Sequence, residues 1–240
     1  MEKPTLKQLM EAGVHFGHKK ARSYPKSRPY TFGIREGIYI IDLEKTVARL
    51  DTALKYLSKL ASEGKTILYV GTKYQGRKIV EEAAKSVNMP YVTERWYGGM
   101  LTNFDTIYAN IKRLKKLDES RDTDSYKKLI KKERHRVDEE ITKLNRNLSG
   151  IVNLDKIPDA LMVFDVSTEK NAVTEAKKVG VPIIGVCDTN ANPEIIDYPI
   201  PANDDAIKAI EMIVGVVTEA IAEGQKSKPT ESKEEKDGNK

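Results

Sequence analysis

TILYVGTKYQGRKIVEEAAKSV, Thr66–Val87, decides the fold. A short β-rich apolar run leads into a basic turn bracketed by glycines, and Ile79, Val80, Ala83, Ala84 and Val87 then recur at helical spacing. The turn nearly matches the phosphate-binding pattern G-x-x-x-x-G-K-[ST]. Gly71 and Gly76 are correctly spaced, but Arg77 stands where the Lys belongs and Lys78 where the hydroxyl residue belongs. An ammonium cannot ligate magnesium, so nucleotide hydrolysis is not expected. The free amides and dipole of a helix start still attract anions, which makes Lys73, Arg77 and Lys78 candidate phosphate contacts. The plainer alternative is an ordinary strand–helix turn with solvated cations.

Outward from this unit the same rhythm repeats. The runs IYII (38–41), PYVT (90–93), LMVF (161–164), IIGV (183–186) and YPI (198–200) alternate with amphipathic stretches. One carries Val47, Leu50, Leu54, Leu57 and Ala61; another carries Ala172, Val173, Ala176 and Val179 and is closed by Gly180. The last follows Asp204 or Asp205 as its expected N-cap and carries Ile207, Ile210, Val214, Val217 and Ile221. Continuous apolar strands separated by helices predict an α/β fold with a doubly wound, mainly parallel sheet of Rossmann or flavodoxin-like type. Its ligand-facing loops lie at the carboxyl ends of the strands.

Between about Asn103 and Leu148 the strands stop. Phe104, Ile107, Ile111, Leu114 and Leu117 form one seam; Ile130, Val137, Ile141, Leu144 and Leu148 form a second. Steps of three, four and seven predict an inserted antiparallel coiled-coil hairpin, joined by ESRDTDS, with arms of about 25 residues reaching on the order of 35 Å. The chain thus divides into a basic N-terminal arm (1–37), an α/β domain (38–102 and 149–223), the hairpin (103–148) and a polar tail (224–240). The tail has no large apolar residue and is expected to be disordered.

Charge is distributed unevenly over the 240 residues. The whole chain carries +5, yet residues 1–148 carry +12 and residues 149–240 carry −7. Such a division predicts a basic face for a polyanion and an acidic side left to solvent or to another partner. The arm GVHFGHKKARSYPKSRPYTFGIR sets Lys19, Lys20, Arg22, Lys26, Arg28 and Arg35 among Phe16, Tyr24, Tyr30 and Phe32. Cations interleaved with aromatics in a conformable segment suit RNA, whose phosphates attract charge and whose unstacked bases lie on rings. On the hairpin, KRLKK and KKLIKKERHR supply Lys112, Arg113, Lys131, Lys132 and Arg134, which suit a polyanion or a protein partner.

No apolar run approaches the ~20 residues of a membrane span, and MEKPTLKQ lacks the apolar core of a signal peptide, so a cytoplasmic location is expected. The single Cys187, inside IIGVC, excludes an intrachain disulfide and is expected to be buried. Enzyme templates such as G-x-S-x-G, H-E-x-x-H and paired CxxC are absent. Asp165, Asp188 and Asp197 fall at strand ends, where turn chemistry is the expected role. His18, Asp188 and Asp205 can gather round a metal only if the arm folds over the sheet edge; their spacing alone does not require it.

Six motifs carry a resemblance. GVHFGH (13–18), YIIDLEKT (39–46), VGTK (70–73), RWYGGMLTNF (95–104), PDALMVFD (158–165) and VCDTN with PANDDA occur in the order found in the bacterial small-subunit ribosomal protein S-two family, and the resemblance covers residues 3–224. Gly76 departs from the family pattern, so the resemblance makes the near phosphate-loop accidental. It implies a non-catalytic protein that binds small-subunit ribosomal RNA late in assembly and stays ribosome-bound in the cytoplasm. It also implies help in recruiting ribosomal protein S-one, which captures messenger RNA, and contact with neighbouring small-subunit proteins. No cofactor, metal, membrane or small-molecule substrate is implied. Arg95 and Trp96 of RWYGGMLTNF join the expected RNA contacts, Gly98 and Gly99 the expected bend, and Thr102 the expected cap of the first hairpin arm.

Overall fold

A computed structural model of the protein describes residues 4–123, 126 and 128–227. Five strands form the central sheet: β4 (Ile67–Val70), β5 (Tyr91–Val92), β6 (Ala160–Val163), β7 (Ile183–Cys187) and β8 (Tyr198–Pro201). All are parallel, in the order β5-β4-β6-β7-β8. Counted within the sheet this is 2-1-3-4-5, the flavodoxin-like doubly wound arrangement. Ile67 and Tyr69 point into one apolar cluster and Leu68 and Val70 into the other, so both faces of the sheet are covered.

The first face is covered by helices α2 (Leu43–Ser62), α3 (Arg77–Ser86) and α7 (Ile207–Lys226). The second is covered by α6 (Lys170–Val179) and by residues of α4 (Phe104–Ser120) and α5 (Lys131–Leu148). Gly180, at φ +81°, closes α6 in the left-handed conformation that glycine adopts without strain. Among the described residues no helix is long and apolar enough to cross a membrane.

Several expectations change. IYII is not a strand of the parallel sheet. As β3 (Ile38–Ile41) it is the centre of a separate antiparallel sheet, flanked by β1 (Phe16–Lys19) and β2 (Thr31–Arg35). The arm is therefore ordered rather than irregular: α1 (Leu6–Glu11) precedes β1, and Pro25 and Pro29 sit in a 3-10 turn, Pro25–Tyr30. Short alternating runs look alike in either sheet, and only pairing distinguishes them.

The helix caps also differ. Ala206, not Asp204 or Asp205, occupies the N-cap position of α7 and makes no side-chain cap bond; the Asn203 side-chain oxygen accepts the Asp205 and Ala206 amides in the turn before it. Asn103 occupies the N-cap position of α4, while Thr102 turns to a buried carboxylate. Helix α7 continues to Lys226, two residues past Gly224. Residues 228–240, the rest of the expected tail, lie outside the described residues, as do Asp124 and Ser125 of the expected hairpin connection.

Helices α4 and α5 have 17 and 18 residues, about 26 Å at ~1.5 Å per residue, shorter than the arms expected from the seams. Ile107, Ile111 and Leu114 are buried with Ile141 and Leu148 in the second cluster. Ion pairs Arg113–Glu140 (2.6 Å) and Arg121–Asp138 (2.7 Å) join the two helices.

Candidate nucleic-acid interface

The carboxyl rim of the parallel sheet is where a doubly wound fold places its ligand. Here the chain fills that place with its own charges. Lys73, just beyond β4, puts its Nζ 2.6 Å from Asp204 Oδ1, 2.7 Å from Asp205 Oδ1 and 3.1 Å from Asp165 Oδ2. Burial works to lower its pKa, but the charge of Asp204 and the hydrogen bonds to Asp204 and Asp205 carry it above the ordinary lysine value. The loop amides are engaged as well: Thr72 N donates to the buried Glu169 carboxylate (2.7 Å), and Gly76 N and Arg77 N donate to Lys73 O. The anion held by this loop is Glu169, which burial pushes above the usual glutamate value.

Lys73 is therefore corrected from a phosphate contact to an internal ion-pair residue. Arg77 is half-buried, with its Nε donating to Thr72 O and its Nη1 3.6 Å from Glu94, which leaves Lys78 as the exposed cation of the loop. Trp96 is also corrected. It is 7% exposed and its indole N–H donates to Glu175, so it is framework and cannot stack on a base.

Glu175 explains the RWYGGMLTNF turn. Its buried carboxylate accepts from Trp96 Nε1 (3.1 Å), Gly99 N (2.8 Å), Leu101 N (3.0 Å), Thr102 N (3.2 Å) and Thr102 Oγ1 (3.1 Å). Burial alone would raise its pKa; the donors from Leu101, Trp96, Gly99 and Thr102 hold it below the usual value. Gly99, at φ +91°, is the glycine the bend requires, whereas Gly98 has open space around it. No signal in the sequence singles out Glu175, which lies 79 residues beyond Trp96.

The N-terminal sheet docks on the same rim. His18 N and Tyr24 N donate to Thr189, Ser27 Oγ donates to Thr189 O, and Asn203 bonds the backbone of Gly13 and Val14. At Gly17 an added Cβ would lie 2.6 Å from Thr189 Cγ2, so the approach is open only to glycine. Docking brings His18 to Asp188 (Nδ1–Oδ1, 3.1 Å) and Asp205 (Nε2–Oδ2, 3.3 Å). Contact with Asp188 raises the imidazole pKa against the effect of burial. One donor atom each from His18, Asp188, Asp204 and Asp205 lie within 4.8 Å of one another. Asp204 Oδ2 has no hydrogen-bond partner among the described residues. An imidazole with three carboxylates suits a divalent cation, and the arm folds over the sheet edge as such a group requires. Asp204 was absent from the candidates drawn from sequence. Asp165 takes the expected turn role, accepting from Thr168 N and Oγ1, whereas Asp197 accepts from Ile183 N, 14 residues back at the start of β7. Cys187 is buried and free, and burial pushes its thiol pKa up.

The remaining cations behave differently. Lys19, Lys20, Arg22, Arg28 and Arg35 are exposed and have no side-chain partner among the described residues. Lys19 and Arg35 flank Ile38 across the small sheet and so share one face. Lys26 is the exception, paired with Glu194. Phe32 is 84% and Tyr24 39% exposed, while Tyr30 lies beneath Arg49. On α4 and α5, Arg113 is paired with Glu140 and Lys112 rests over the Tyr108 ring at 4.2 Å. Lys131, Lys132 and Arg134 are exposed and unpaired among the described residues, as is Arg95 beside Trp96. Tyr74, 86% exposed at the tip of the β4–α3 loop, is an aromatic that the sequence pattern did not mark.

Residues 9–224 match the family described as ribosomal protein S2. The chain is 47% identical over 224 residues to the small ribosomal subunit protein uS2 of Coprothermobacter proteolyticus, covering 93% of this chain and 84% of that one. It is equally similar, 47% over 231 residues, to the protein of the same description from Parabacteroides distasonis, with 96% and 83% covered. The corresponding protein of Dictyoglomus thermophilum is 47% identical over 220 residues, with 92% and 89% covered.

Proposed function

Because the chain belongs to the ribosomal protein S2 family, a structural and non-enzymatic part of the small ribosomal subunit, we propose that it binds small-subunit ribosomal RNA through the unpaired cations of its N-terminal sheet and of α4 and α5. The carrying observation is how the cations are sorted. Lys73 at the sheet rim is tied to carboxylates inside the fold, whereas Lys19, Lys20, Arg22, Arg28 and Arg35 are exposed without partners among the described residues. Exposed cations release counterions from a phosphate backbone, so binding is strongly salt-dependent. The protein then acts by shape and charge as a cytoplasmic, ribosome-bound constituent.

Helices α4 and α5 are read as an antiparallel coiled-coil hairpin that carries Lys131, Lys132 and Arg134 toward RNA. The seam residues Ile107, Ile111, Leu114 and Ile141 and the ion pairs between the helices support this reading. Ribosomal protein S-one is the proposed protein partner. An apolar groove of about 530 Å³ on the N-terminal side, bordered by Leu6, Met10 and Phe32, favours that region over the acidic C-terminal half as its docking face.

The test is incorporation of the Lys19→Glu, Lys20→Glu, Arg22→Glu triple variant into small-subunit particles. Incorporation is expected to fall at least ten-fold with the fold intact. Equal incorporation would remove the N-terminal sheet from the RNA surface.

A further inference from the structure

A cleft of about 750 Å³ opens between the Glu94–Tyr97 loop and one side of α5. We propose that this cleft seats an unpaired RNA strand, with Arg95 and Lys143 on successive phosphates and Tyr97 as a base platform. The inference rests on the RNA-binding reading and gives it a specific site.

The charges that line the cleft are unequally committed. Glu94 is neutralised by Arg77 at 3.6 Å and Arg146 at 3.2 Å. Asp138 is held by Arg121 and by the Tyr126 hydroxyl, while Glu139 has only the exposed His135 imidazole near it, at 3.4 Å. Arg95 and Lys143, both exposed, have no partner among the described residues. With Glu94 and Asp138 paired, Arg95 and Lys143 are the cations the cleft leaves free, and they suit an anionic ligand. A half-buried tyrosine on the wall adds a stacking surface, and a concave site of this size admits a single strand more readily than a helix. The Arg77–Glu94–Arg146 chain also ties α5 to the loop after β5, so the two walls are held in register.

The experiment is fluorescence anisotropy of the full chain with labelled twelve-residue oligouridylate, with an RNA duplex of equal length, and with tripolyphosphate as competitor. For Arg95→Ala with Lys143→Ala we expect about a ten-fold loss of oligouridylate affinity and a salt slope flatter by about 1.4, at ~0.7 per phosphate contact on a single strand. Tyr97→Leu is expected to weaken binding without changing that slope. Wild-type binding left unchanged by the double variant overturns the cleft while preserving the RNA-binding reading. An effect confined to the duplex, or tighter Arg95- and Lys143-dependent binding of tripolyphosphate, also overturns it. Failure of the wild-type chain to bind either RNA removes the underlying reading itself.

Discussion

The rim of the parallel sheet and the N-terminal sheet docked on it treat lysine in opposite ways. At the rim, Lys73 is drawn in among Asp165, Asp204 and Asp205 and becomes part of the fold's interior. On the small sheet and the turn beside it, Lys19, Lys20 and Arg22 project without partners. A cation's role is therefore set by which carboxylates the topology brings within reach, and basic character in a loop does not by itself make a phosphate contact.

The sharpest break in this comparison is removal of Lys73. Lys73→Ala strands Asp165 and Asp204, both buried, and is expected to cost about 3–5 kcal/mol in urea unfolding. A loss below 1 kcal/mol would place Lys73 with the outward cations after all. Next comes the carboxylate hub: Glu175→Ala leaves the buried amide of Leu101 and the Trp96 indole unsatisfied, at about 3 kcal/mol.

The hub also has a signature in pH. The folded-state pKa of Glu175 is depressed, so its ionised form stabilises the protein above the ordinary glutamate value. That contribution is lost as pH falls through the folded value. The stability gap between wild type and Glu175→Gln should accordingly narrow on acidification; a gap that widens contradicts the assignment.

Gly17→Ala is smaller in effect. The methyl meets Thr189 and must push β1 away from the rim, at about 1–3 kcal/mol, read in thermal unfolding. Smallest for stability is Lys19→Ala, Lys20→Ala, Arg22→Ala, expected within about 0.5 kcal/mol per site because nothing in the fold holds these side chains. Its effect should appear instead in RNA affinity, as a salt slope flatter by about 2–3. A large stability loss without that flattening would invert the comparison.

How much was legible varies by element. TILYV, IIGV and the helix closed by Gly180 were readable because strand and helix periods, and the left-handed residue at a helix end, are written within a few neighbouring positions. IYII was readable as a strand but not as a member of the antiparallel sheet, since pairing depends on Phe16, 24 residues from its partner Ile40, and Lys19, 19 residues from its partner Ile38. The cap of α4 was misplaced because Thr102 finds a stronger acceptor in Glu175, far along the chain. Lys73 and Trp96 were misread for the same reason: a basic or aromatic residue in a loop looks available until its tertiary partner is known.

The sequence alone determined the strands and helices of the parallel-sheet domain, their order and the separation of positive from negative halves, because these follow from local backbone preference and simple composition. Only the tertiary structure decided which cations stay free and which are neutralised, and only it gathered His18, Asp188, Asp204 and Asp205 at one rim. The physical reason is range. Side-chain pairing acts over a few ångströms between positions as many as 187 residues apart in the chain, and no local pattern specifies that encounter.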